Sequence, residues 1–268
     1  MATVIGLLVI AALGVALFAP SVVPRALRGL GSILRTAGQA TDELTGASEV
    51  EDGPIARIEA RAGEIIATRI ERQHAPAPAD VQSRVKAIGA RLASEAERRG
   101  VAFRFHGIED SSPNAWALPG GAIFISRALV DLCGSDDDRL AGVLAHEIAH
   151  IDLRHALKRL AKQAATRVGT TILLRRFTLL GRVASELETI PVRGYEREHE
   201  LEADLHGALL ARKAGFDPRG LAALLGDLEM LEEAEGREPL PSVAAYFSSH
   251  PPFAVRRRAL EQRFPPKR

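Results

Sequence analysis

His146-Glu147-Ile148-Ala149-His150 is the stretch on which the reading of this sequence turns. Around it Leu140, Val143, Leu144, Ile148 and Ile151 recur at helical spacing, and Asp136, Asp137 and Asp138 stand in front, where acidic side chains suit the positive end of a helix dipole. The pattern predicts one long helix running through Leu160. Each helical residue advances about 100°, so positions four apart stand one above the other. His146 and His150 then point the same way and can hold one zinc ion, with Glu147 beside them in reach of a water at the open coordination position. A polar trio on a mostly apolar helix is costly to bury unless something compensates it, which argues against an ordinary polar stripe.

A third ligand has to come from another segment, and Glu196-Arg197-Glu198-His199-Glu200-Leu201-Glu202-Ala203-Asp204 supplies it. Glu200 and Asp204 share a helix face. Glu200 can ligate the metal, while Asp204 accepts the N–H of a ligating histidine and fixes its tautomer. Glu196, Glu198 and Glu202 are read as a solvated face, and His199 as pointing aside. On a helix continued past His150, His155 lies about 140° round from it, so His155 and His206 are read as structural. Two His, one Glu and an open fourth position make a catalytic arrangement, whereas a structural zinc has four protein ligands. The lone Cys133 excludes an intramolecular disulfide and a thiolate zinc cluster and is read as a core residue.

Upstream, Pro54 opens a helical pattern with Ile55, Ile58, Ile65, Ile66 and Ile70 on one side, and Ala75-Pro76-Ala77-Pro78 breaks it. A helix is predicted from Asp80 to Arg99, stopped at Gly100. Three short strands follow: an alternating run from Val101 to His106, Ala115 to Leu118, and Ala122 to Ser126, the last two joined by the turn Pro119-Gly120-Gly121. Helices are predicted over Arg197–Lys213, Pro218–Glu235 and Ala254–Arg263.

With 35 basic against 34 acidic residues the net charge is +1, so no global field draws nucleic acid, and none is expected as a partner. Val4 to Ala19 is apolar without interruption and nearly long enough to span a bilayer. A secretory signal peptide is the competing reading. No Lys or Arg precedes the run and no A-x-A cleavage pattern follows it, which favours an uncleaved anchor. Arg25, Arg28 and Arg35 beyond it place the bulk of the chain on the cytoplasmic side by the positive-inside rule, with the extracytoplasmic side as the alternative. The expected organisation is an anchor over 1–23, a juxtamembrane linker with an amphipathic helix over 24–78, and a catalytic domain over 79–268.

Four features in this order resemble the zinc peptidases that include HtpX, the CAAX prenyl protease and the BepA-like periplasmic proteases. They are Asn114-Ala115-Trp116-Ala117-Leu118-Pro119-Gly120-Gly121, the run from His146 to His150, Glu200-Leu201-Glu202-Ala203-Asp204, and His250-Pro251-Pro252 followed by Arg256. The resemblance covers roughly residues 80 to 268. It implies a mainly helical α+β, zincin-like domain with a small three-stranded sheet against the helix of His146, and one zinc per chain on His146, His150 and Glu200, with Glu147 as general base. It likens Asn114, Ala115, Trp116 and Ala117, with Gly120 and Gly121 after them, to an edge strand that pairs with extended polypeptide. It likens His250 to a histidine that faces the zinc site, as oxyanion donor or as a resting fourth ligand, and gives Arg256 a bracing role. HtpX and the prenyl protease have several membrane spans, and this sequence has one candidate, so processing of CAAX ends is not expected. The expected activity is endoproteolysis of unfolded or membrane-associated protein. A catalytically silent chaperone of the same fold and a zinc hydrolase for non-peptide substrates are the alternatives.

Overall fold

A computed structural model of the chain describes residues 54–159, 197–234 and 253–265. By its internal contacts the chain divides into Met1–Val50 and Glu51–Arg268, and all described residues belong to the second unit. The predicted anchor and His250 lie outside the described residues. Among the described residues no helix is long and apolar enough to cross a membrane.

The elements are α1 (Pro54–Gln73), α2 (Ala79–Ala93), β1 (Arg104–Ile108), β2 (Ala115–Ala117), β3 (Ala122–Ser126), α3 (Arg127–Cys133), α4 (Asp137–Asp152), α5 (Arg197–Lys213), α6 (Gly220–Ala234) and α7 (Phe253–Arg263). The three strands form one sheet in the order β1-β3-β2, with β1 parallel and β2 antiparallel to β3. This is the mainly helical fold with a small sheet that was expected. β3 is buried along its whole length because both of its faces are covered. Ile123 and Ile125 join the main core with Leu140, Val143, Leu144 and Ile148 of α4. Ala122 and Phe124 face the other way, onto Ala62, Ile66 and Ala67 of α1. Successive strand residues point to opposite faces, so the alternation assigns each side chain to its layer. The apolar run Ala122-Ile123-Phe124-Ile125 is thus the seam between two cores.

The largest shifts from the predicted boundaries fall in α2, β1 and α4. α2 ends at Ala93, capped by Ser94, instead of running to Arg99. The freed segment is put to use: the backbone N–H groups of Glu97 and Arg98 donate to the Asp152 carboxylate, and the Arg98 guanidinium pairs with Glu59 of α1 and donates to the Ile151 carbonyl. β1 starts at Arg104, not Val101, and runs through Gly107 to Ile108. Gly107 fits there because Ala77 crosses it closely, donating its N–H to the Gly107 carbonyl at 3.0 Å. α4 ends at Asp152 rather than Leu160: Leu153 caps it and Arg154 turns to a φ of 53°, after which residues 155–159 are helical in a new direction. The short α3, held at its start by the Ser126 hydroxyl, was not predicted.

The start of α4 behaves as its acidic residues predict. The Asp136 carboxylate accepts the N–H groups of Asp138 and Arg139, and Asp137 and Asp138 occupy the first turn. Farther along, α5 crosses α4 at Gly207. A Cβ at that position would lie 2.8 Å from the His146 backbone nitrogen, so only glycine permits the crossing. That contact sets Glu200 and Asp204, two turns and one turn earlier on α5, against the face of α4 that carries the histidines.

Candidate metal centre

His146, Glu147, His150, Glu200, Asp204 and Arg256 are each at most 2% exposed. Two helices supply the convergent ligand atoms. His146 Nε2 and His150 Nε2 stand 3.0 Å apart, Glu200 Oε2 lies 3.5 Å from the first, and Glu200 Oε1 lies 3.4 Å from the second. Tetrahedral zinc with bonds of roughly 2.0–2.1 Å spaces neighbouring ligand atoms by about 3.3 Å. The triangle formed by these three side chains therefore fits that ion, and among the described residues they form the one cluster of this kind. Charge points the same way. Glu147, Glu200 and Asp204 bring three buried carboxylates against the single guanidinium of Arg256, leaving two negative charges that a dication offsets.

Behind His146 stands an ion pair. His146 Nδ1–H donates to Asp204 Oδ1 at 2.9 Å. Arg256, reaching in from α7, donates to both oxygens of Asp204 at 2.8 and 2.6 Å, and its Nη1 lies 3.2 Å from Glu200 Oε2. Bidentate pairing of this sort is directional as well as strong. Burial alone would raise the Asp204 pKa, but the Arg256 guanidinium and the His146 ring hold it down at about 2. Burial and Arg256 press the His146 pKa downward, and the Asp204 and Glu200 carboxylates more than offset them, bringing it to about 9. The environment at this ring thus favours positive charge, as a cation site requires.

The surroundings of His150 correct one reading of the sequence and add to another. His155, read as structural because a continued helix would turn it away, has its Nδ1 2.8 Å from His150 Nδ1. The break at Leu153 and Arg154 swings it back toward the site. Glu202, read as part of a solvated face, is exposed as read, and its Oε2 also meets His155 Nε2 at 3.1 Å. His199 does point aside from the ligand triangle, and stacks on the His155 ring at 4.4 Å between centroids. Burial, with the neighbouring His150 and His199, lowers the His155 pKa to about 3, so this ring is neutral. No spacing rule could have found His155, since its position depends on one residue's backbone angle. His206 meets Asp152 Oδ2 at 3.2 Å, a contact at the C-terminal end of α4 away from the triangle.

β2, with Ala115, Trp116 and Ala117, lies at an edge of the sheet, and among the described residues nothing pairs with its outer side. A small cleft lined by Ala117, Leu118, His150 and Ile151 joins the end of this strand to the site. Asn114 is buried, its N–H donating to the Ser126 hydroxyl and its carbonyl accepting the Ser126 N–H. Gly120, with φ at 83°, packs so closely on α1 that a Cβ there would lie 2.7 Å from Ala60 Cα, and Gly121 meets Val101 and Ala102 in the same way. Packing by itself thus requires both glycines. Cys133 is buried, and burial pushes its thiol up to about 12, consistent with the core role expected of it.

The profile of Peptidase family M48 matches residues 79–264. Over 164 residues, 61% of this chain and 47% of the relative, the sequence is 32% identical to the mitochondrial metalloendopeptidase OMA1 of Schizosaccharomyces pombe. Over 145 residues, half of this chain and 30% of the relative, it is 32% identical to a putative beta-barrel assembly-enhancing protease of Vibrio cholerae. Over 196 residues, 68% of this chain and 72% of the relative, it is 28% identical to the metalloprotease YcaL of Escherichia coli. This chain spans less than half the length of the first two.

Proposed function

This chain belongs to peptidase family M48, whose profile covers residues 79–264, and from that membership we propose that it is a zinc-dependent endopeptidase for unfolded or membrane-associated protein. The observation that carries the reading is the buried triangle of His146, His150 and Glu200 with Glu147 on the same helix. Three convergent ligands, rather than four, are the donor set of a catalytic zinc.

His146 and His150 would hold the ion through Nε2 and Glu200 through its carboxylate. Zinc, when bound, supplies a Lewis acid for the scissile carbonyl and makes water a nucleophile near neutral pH. Glu147 takes the proton of the attacking water and hands it to the leaving amine. Asp204 keeps a proton on His146 Nδ1, so that Nε2 is the lone-pair atom. Extended polypeptide pairs with the outer edge of β2 along Ala115, Trp116 and Ala117, with Asn114 bonded to Ser126 at the start of that track and Gly120 and Gly121 at its end. His250 donates to the oxyanion formed on the attacked carbonyl, a role whose removal costs about 10²–10³ in turnover. In the same reading residues 1–23 anchor the chain, 24–78 form a juxtamembrane linker and the amphipathic helix α1, 79–268 form the catalytic domain, and Arg25, Arg28 and Arg35 keep that domain cytoplasmic.

The decisive experiment digests casein with the purified full chain, with and without chelator, beside Glu147→Gln. The variant keeps all three ligands and the size of the side chain, so it should bind zinc normally and cleave orders of magnitude more slowly. Zinc bound with no hydrolysis by the wild type would instead support a silent scaffold. A phosphatase reporter fused after Arg268 should be inactive, and an active one would move the enzyme across the membrane.

A further inference from the structure

The proposed ligand set leaves His150 with a ring whose second nitrogen needs a partner. A histidine that ligates through Nε2 presents its lone pair there and carries its proton on Nδ1. His150 Nδ1 is 2.8 Å from His155 Nδ1, and both rings are buried. Of two facing nitrogens at that distance one must donate and the other accept. With the proton on His150 Nδ1, His155 accepts at Nδ1 and must carry its own proton on Nε2. That atom lies 3.1 Å from Glu202 Oε2 on α5, a carboxylate that can only accept. Every hydrogen bond in the series then runs one way, from His150 through His155 to Glu202. One further contact closes the path: Lys158 Nζ stands 3.8 Å from the same Glu202 oxygen.

We propose that His155, with Glu202 behind it, is the positioning residue of His150, holding its ring and tautomer so that Nε2 faces the metal. This rests on the reading of His150 as an Nε2 ligand. The arrangement is built rather than incidental. Arg154 accepts a left-handed φ of 53° at the break that returns the chain toward α4, and only that return brings His155 to its partner. The stacked ring of His199, 15° from parallel, closes the other face of His155. A neutral imidazole here adds no further negative charge to the buried site, while the carboxylate that polarises the series remains at the half-exposed Glu202.

Zinc affinity by chelator competition tests this, together with the visible spectrum of the cobalt-loaded full chain and the melting temperature of the metal-free protein. His155→Leu fills the space without an acceptor, and zinc should bind about 10–100-fold more weakly, the range for lost outer partners of metal ligands. The cobalt bands should shift as the His150 ring reorients. His155→Asn places an amide oxygen near the Nδ1 position and should recover most of the affinity and the wild-type spectrum. Equal affinities in wild type, Leu and Asn variants would overturn the proposal, as would equal losses in Leu and Asn. If His155→Leu does not fold, Glu202→Leu at the exposed end reads the same path. It should weaken zinc several-fold and shift the cobalt bands, and unchanged values would likewise overturn the proposal. His150→Ala separates the two levels: retention of zinc by that variant would refute the ligand reading itself, whereas its loss beside unaffected His155 variants would refute only the positioning role.

Discussion

His146 and His150 stand one turn apart on the same face of α4, yet one is backed by an ion pair drawn from two other helices and the other by a neutral imidazole from the chain just past the end of α4 itself. Asp204 and Arg256 hold His146 by charge, and every member of that group is buried. His155 holds His150 by tautomer, and its charged terminus, Glu202, is half-exposed. The difference teaches that orienting a ligand does not demand a buried charge. It demands an acceptor at the right place, and the site already carries as many buried carboxylates as one dication and one guanidinium balance.

The comparison is broken most severely at Arg256. Arg256→Met leaves Asp204 and Glu200 buried without their guanidinium, which should cost about 3–5 kcal/mol of stability. Urea unfolding of the metal-free protein measures it, and a loss below ~1 kcal/mol would mean that the His146 side is not held by charge. Gly207→Ala attacks both sides at once. Its methyl group would press on the His146 backbone, so α5 must back away from α4, at about 1–3 kcal/mol, and zinc should weaken because Glu200 moves with the helix. Preserved zinc affinity in this variant would show that the crossing does not set the ligand triangle. Asp204→Asn sharpens the contrast, since it keeps an acceptor but removes the charge. Zinc affinity should fall by about 10-fold, more than for the acceptor-keeping variant of His155; equal effects would erase the distinction between the two supports. The smallest change is expected at Glu202→Gln, which retains an oxygen for His155 Nε2–H. Chelator competition should show a zinc affinity well inside the about 10-fold span that outer partners command, and a larger fall would mean that the charge of Glu202 reaches the site.

Residues whose roles depend on helical or strand periodicity were legible in advance. His146 with His150, and Glu200 with Asp204, are each four apart within one helix. β2 and β3 announced themselves by a Pro-Gly-Gly turn between short apolar runs. The misplaced boundaries share one origin. α2 stops early because Arg98 makes its bonds to Glu59 and Ile151 from outside a helix, and α4 stops early at a backbone turn in Arg154. Neither stop is marked by Pro or Gly, so local propensity could not have located it, and tertiary contacts outweighed a continuing apolar pattern.

The sequence alone therefore determined which helices carry the ligand-type side chains and which faces they share, because an α-helix converts a spacing of four into a common direction without outside help. The closure of that set into a site was decided only by tertiary structure: Gly207 admits α5 to within backbone contact of His146, Arg256 arrives 52 residues after its partner Asp204, and the turn at Arg154 returns His155 to His150. Long-range approach and a single backbone angle have no period, and only the packed chain selects them.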